Sequence, residues 1–164
     1  MTIVPSWLPA LFKVSPWDHN TFDLLHEIFH RDFISSPVCY EGHKVRQYSY
    51  ELEDGKEKSF WHLTTREDGQ GGVRLPDLRR SERLPWLKNI IENASHSDIL
   101  TWESTEGDGV IKIYVWLKDH DYVAIMKKPR QGALILLTAH WLEYPNAKKK
   151  LMKKYNSRNG KANA

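Results

Sequence analysis

Apolar positions near the start of the chain recur at helical spacing and then give way to strand-like alternation. Phe22, Leu25, Ile28, Phe29 and Phe33 fall three or four apart, which is the stripe of an amphipathic helix. Ser15 stands as its cap, Pro16 suits the first helical position, and Asp18 follows three residues after Ser15 as in a capping box. A helix is therefore predicted over residues 16–33. Beyond Ser35-Ser36-Pro37 the sequence turns β-like over 38–40 and 43–52, a tight turn falls at Asp54-Gly55, and 58–64 reads as the returning strand of a hairpin. A glycine-rich break follows at Gly69 to Gly72.

Residues 76–94 carry a helical pattern, but Pro85 removes a backbone donor and clashes with the preceding turn if it lies deep inside one helix. Two pieces are predicted: a short helical turn over 77–82, and a helix starting at Pro85 that buries Leu84, Leu87, Ile90, Ile91 and Ala94. Four β segments come next, at 99–104, 110–118, 122–126 and 133–140, joined by turns short enough for an antiparallel meander. Leu134-Ile135-Leu136-Leu137 has no polar face and reads as a central strand covered on both sides. Pro145 opens a last helix to about Tyr155, with Ala147, Leu151 and Tyr155 inward and the lysines outward.

A length of 164 residues with 40% hydrophobic and 27% charged residues suits one packed domain. It is expected over 1–155, with a flexible basic tail over 156–164. No run approaches the roughly 18 apolar residues of a membrane span, and the start Met-Thr-Ile-Val-Pro-Ser-Trp lacks the basic and apolar regions of a signal peptide. A cytoplasmic protein without membrane contact is expected. The single cysteine, Cys39, forms no internal disulfide.

Charge changes the picture. Residues 144–164 hold seven basic side chains and no acidic one, so the other 143 residues carry a net −4 against an overall +3. A block of this kind is a solvated helix face or a surface that meets phosphate. Phosphate-loop, dinucleotide, His-Glu-x-x-His and Cys-x-x-Cys motifs are absent from the sequence. His26 and His30, four apart, have the spacing to share a metal, but they flank a face of Phe and Ile and read better as part of that face. No metal and no cofactor are expected. On a strand over 58–64, Phe60, His62 and Thr64 share one face. Arg66, Arg74, Arg79, Arg80 and Arg83 follow, and Thr138 with His140 share a face at the end of the most buried strand. Together they describe a pocket with a proton-transfer group and several donors for an anion.

The order Asp54-Gly55-Lys56, Phe60-Trp61-His62-Leu63-Thr64-Thr65-Arg66-Glu67, Arg83-Leu84-Pro85-Trp86-Leu87-Lys88, Tyr122-Val123, Leu136-Leu137-Thr138-Ala139 and Lys149-Lys150-Leu151-Met152-Lys153-Lys154-Tyr155 resembles the phage-associated branch of the Barnase-EndoU-Colicin E5/D-RelE-like nucleases, from about Trp17 to Tyr155. The resemblance implies an α+β fold, with N-terminal helices packed on a twisted antiparallel sheet of about four or five strands and a C-terminal basic helix. It also implies metal-independent RNA cleavage by attack of the ribose 2′-OH on the adjacent phosphate, in a toxin or mobile-element setting, with an inhibitor or antitoxin protein as partner. Carried over by position, His62, Arg83 and Thr138 are the catalytic residues. Arg80 joins Arg83 on the scissile phosphate, and Arg66, Lys149, Lys150, Lys153 and Lys154 hold the RNA. Two other readings remain open: a non-catalytic RNA-binding or protein-interaction module on the same fold, and a small ligand-binding domain in which the arginines are structural.

Overall fold

The computed structural model describes residues 3–67, 72 and 74–158. Most of the predicted glycine-rich break, and Lys161 in the predicted tail, lie outside the described residues. The chain forms an α+β domain around a six-stranded sheet. Helix α1 (His19–Phe29) runs into a π-helical turn (His30–Ile34). The cap is Asp18 rather than Ser15, because the Asp18 carboxylate accepts from the Thr21 amide at 3.0 Å. Strands β1 (Val38–Tyr40) and β2 (His43–Gln47) form a hairpin. Its two linking residues, Glu41 and Gly42, have φ of +47° and +84°, the left-handed pair that a two-residue turn between twisted strands requires.

A ribbon of β3 (Leu52–Glu53) and β4 (Lys56–Glu57) turns at Asp54-Gly55 as expected. The next segment, however, is helix α2 (Lys58–Thr64), not a strand. Phe60, Leu63 and Thr64 are buried together, and that spacing closes on one side only with a helical period. The Thr64 hydroxyl donates to the Phe60 carbonyl at 2.9 Å, one turn back. Strands β5 (Thr65–Glu67) and β6 (Arg74–Pro76) pair with each other. Helices α3 (Leu78–Glu82) and α4 (Leu84–Glu92) are separated at Arg83, as the proline demanded, and Leu84, Leu87, Ile90 and Ile91 are fully buried.

The antiparallel meander β7 (Ile99–Thr105), β8 (Ile111–Leu117), β9 (Tyr122–Lys128) and β10 (Leu134–Trp141) matches expectation. Two features differ. The sheet has six strands in the order β1-β2-β10-β9-β8-β7, and β10 pairs with β2 in parallel over Leu134–Leu136. The register of β10 also slips between Leu136 and Thr138, and this bulge moves Thr138 and His140 off the face that buries Leu134 and Leu136. Beyond Leu136, β10 has no further pairing with β2, and α2 and α3 pack beside it.

The sheet is covered on both faces. One core joins Leu25, Phe29, Phe60, Leu63, Leu87, Ile90 and Ile91 to Val115, Ala124, Met126 and Leu136. The other lies under α5 (Pro145–Asn156), where Leu151 and Tyr155 meet Trp102, Tyr114, Trp116 and Val123. Trp102 stacks on Tyr114 with ring centres 4.8 Å apart, and Tyr155 packs edge-on at 5.4 Å. A basic C-terminal helix is thus anchored by aromatic contacts while its lysines stay in solvent.

Candidate functional site

Arg80 organises the region beside the unpaired end of β10. Asp77 caps α3 by accepting from the Arg80 amide at 3.0 Å, and its other carboxylate oxygen lies 3.2 Å from the Arg80 Nε. The Arg80 Nη1 donates to the carbonyls of His62 and Thr65 at 3.0 and 2.9 Å. The first of these carbonyls belongs to the last turn of α2 and the second to its C-cap residue, where the helix leaves acceptors unsatisfied and its dipole favours a cation. The Ser81 hydroxyl donates to the Thr64 carbonyl at 3.0 Å in the same seam.

This seam forms one wall of a cleft of about 680 Å³ lined by Arg66, Arg79, Arg80, His140, Glu143 and Tyr144 among others. Arg66 and Arg79 are exposed; among the described residues Arg66 has a 3.8 Å contact to Glu143, and Arg79 pairs with Glu82 at 2.9 Å and lies 6.0 Å from the ring centre of Trp141. The Arg66–Glu143 contact is exposed on both sides and holds Arg66 weakly, and the Arg79 guanidinium is exposed at its pair with Glu82, so both face solvent where an anion can reach them. His140 is the half-buried histidine of the cleft. Burial first, and then the charge of Arg80, pushes it down to about 4, so its imidazole is neutral at pH 7 and offers a lone pair.

The expected residues are only partly brought together. Arg80 and Arg66 line the cleft, whereas His62, Arg83 and Thr138 do not. His62 sits half-buried on α2 rather than on a strand, with its ring 4.8 Å from that of Tyr48. Burial first, and then Arg74 and Arg80, lowers its affinity for a proton. Arg83 is a brace. Its guanidinium pairs with Glu82 at 2.7 Å, donates to the Arg79 carbonyl at 3.1 Å, and lies 5.5 Å from the ring centres of both Trp86 and Trp141. Thr138 is half-buried on β10 on the same side as His140. The sequence placed Arg79 in the arginine cluster without a role of its own, gave no sign of Tyr144, and put His62 ahead of His140. The available signal for His140 was its shared parity with Thr138.

A second concavity of about 720 Å³ lies between α5 and β7, which is an edge strand of the sheet. Lys150, Lys153, Lys154 and Arg158 line it together with Ser104 and Thr105. Arg158 stacks over Tyr155 at 3.9 Å, and Lys154 lies 3.6 Å from Glu106. Lys149 belongs to the other flank of the helix, beside Trp116, Lys148 and Met152, so the four predicted lysines do not share one surface. Changing Lys150, Lys153 and Lys154 together to Gln is expected to weaken RNA binding. It should flatten the slope of log K against log salt by about 0.7 for each phosphate no longer neutralised, while Lys149→Gln changes it less. Equal slopes for the two variants, in filter-binding titrations over a salt series, would assign the groove no role.

Comparison with protein-family models, with curated proteins and with solved structures gave no match, so the site is read from its own chemistry. Among the described residues no helix is long and apolar enough to cross a membrane.

Proposed function

We propose that the protein binds RNA along the groove of α5 and β7 and cleaves it without a metal in the cleft of Arg66, Arg79, Arg80 and His140. The observation that carries this reading is the placement of a neutral imidazole and three guanidiniums around one cavity. Helix α5 links the two regions. Tyr144 and Ala147, at its start, line the cleft, and its last turns line the groove, a span of about 18 Å for twelve residues.

In the proposed reaction His140 takes the proton of a ribose 2′-OH as the O2′–P bond forms and the P–O5′ bond breaks. Arg66 and Arg79 turn onto the non-bridging oxygens and offset the charge of the phosphorane. Arg80 adds positive potential while remaining bound to α2. The phenol of Tyr144, an O–H donor on the cleft wall, supplies a proton to the leaving O5′.

The test is incubation of the purified protein with total RNA or tRNA in EDTA. Cleavage is expected to persist there and to leave 2′,3′-cyclic phosphate or 3′-phosphate ends. Fragments with 5′-phosphate and 3′-hydroxyl ends that appear only with magnesium would overturn the mechanism. Salt-sensitive retention of intact RNA would support the second reading, a non-catalytic RNA-binding module. That reading is favoured by the locked state of Arg83 and by the structural bonds of Arg80.

A further inference from the structure

His26 and His30 lie one turn apart on α1 and at the start of the π-helical turn, and both point at one side chain that the sequence pattern did not connect to them. The Nε2 of His26 lies 2.7 Å from one oxygen of Glu57, and the Nε2 of His30 lies 2.8 Å from the other. The three ligand atoms all fall within 4.8 Å of one another. We propose that His26, His30 and Glu57 form a binding site for a divalent transition metal, with zinc as the best-suited ion.

Four properties of the cluster support this. The first is the donor set: two imidazoles and one carboxylate match the three protein ligands of open zinc sites, whereas calcium and magnesium favour all-oxygen sets. The second is charge. Glu57 is only 6% exposed, and among the described residues no lysine or arginine pairs with it. A buried carboxylate needs compensating positive charge, which a bound dication supplies.

The third property is access. The side chains of His26 and His30 are 21% and 43% exposed, which leaves an entry path and a coordination position for water. The fourth is the frame. The ring of Phe60 packs edge-on against His26 at 5.0 Å, and that of Phe29 lies nearly parallel to it at 6.1 Å, so one ligand is already oriented. The helix widens to π geometry at His30, a distortion that recurs at functional sites. Ligand atoms around a tetrahedral zinc stand about 3.3 Å apart at zinc–ligand distances near 2.0 Å, so small side-chain rotations open the observed triad around an ion. Such an ion would tie α1 to the junction of β4 and α2. None of the three residues lines the proposed cleavage cleft, and the site stands whether or not the protein cuts RNA.

The test uses the full chain, stripped with chelator and titrated with zinc against a chromophoric competitor. One equivalent is expected to bind with micromolar affinity or better, and cobalt in its place should give a visible ligand-field band. His30→Ala and His26→Ala, each shown by circular dichroism to be folded, should each lose at least the roughly 10–100-fold that removal of a mere supporting group costs at metal sites. Failure of the parent to take up zinc would overturn the proposal and leave a structural hydrogen-bonded triad. Uptake that is unchanged in both variants would overturn it equally, by placing the zinc elsewhere.

Discussion

His140→Gln should lower RNA cleavage by about 10² to 10⁴, the range lost with a positioned acid or base, while His62→Ala should retain activity within a few-fold. The contrast follows from placement, since His140 lines the cleft with three arginines whereas His62 packs against Tyr48 outside it. The pH profile supplies a second readout. A general base works only when deprotonated, so the acid limb of the rate should fall as pH drops through about 4, the value to which burial pushes His140. An ordinary histidine near 6.5 would place that limb more than two pH units higher. Stability carries the same signature. The folded value lies below the unfolded one, so the contribution is fully present above about pH 6.5 and is lost as pH falls towards 4, by about 3 kcal/mol in all. His140→Gln should flatten that part of the urea-midpoint curve. A His140→Gln protein that cuts at the parental rate removes His140 from the mechanism, and the same result with an inactive His62→Ala would return the role to His62.

What could be read in the sequence depended on how local its cause was. The meander of β7 to β10 announces itself because four short runs rich in apolar and β-branched residues are joined by short turns. The break between α3 and α4 was equally local, since Pro85 cannot sit inside a continuous helix. Helix α2 differs from the expected strand because seven residues with Phe60, Trp61 and Leu63 among polar neighbours suit either period. Only the joint burial of Phe60, Leu63 and Thr64 decides between them. The slip after Leu136 has no local signature, yet it changes which side chains of β10 face the core.

The site was legible in type more than in assembly. A concentration of arginines beside histidines and a hydroxyl does mark the region, and Arg66 and Arg80 do line the cleft. Long-range contacts decide the rest. Arg83 is drawn between Trp86 and Trp141, and Trp141 lies 58 positions further along the chain. Glu57 reaches His26 across 31 positions. Neither meeting follows from spacing along the chain.

Arg80→Met should cost about 3 kcal/mol of folding stability, near the lower end of what removing one partner of a buried charged network costs. The side chain is only 18% exposed and its Asp77 partner 16%, so water can replace little of what is removed. The methionine fills a similar length but leaves the carbonyls of His62 and Thr65 and the Asp77 carboxylate without their shared cation. Arg80→Lys should fall between parent and Arg80→Met, because an ammonium keeps the charge but lacks the planar fork that serves both carbonyls and the carboxylate at once. Arg79→Met is the control. Its pair with Glu82 is exposed on the arginine side, and surface pairs contribute about 0–1 kcal/mol. Urea denaturation of the four proteins at pH 7 measures the series. A cost below about 1 kcal/mol for Arg80→Met would mean that α2 and α3 are held by their apolar contacts alone. Arg80 would then be free to turn into the cleft and grip a phosphate directly, as Arg66 and Arg79 are proposed to do.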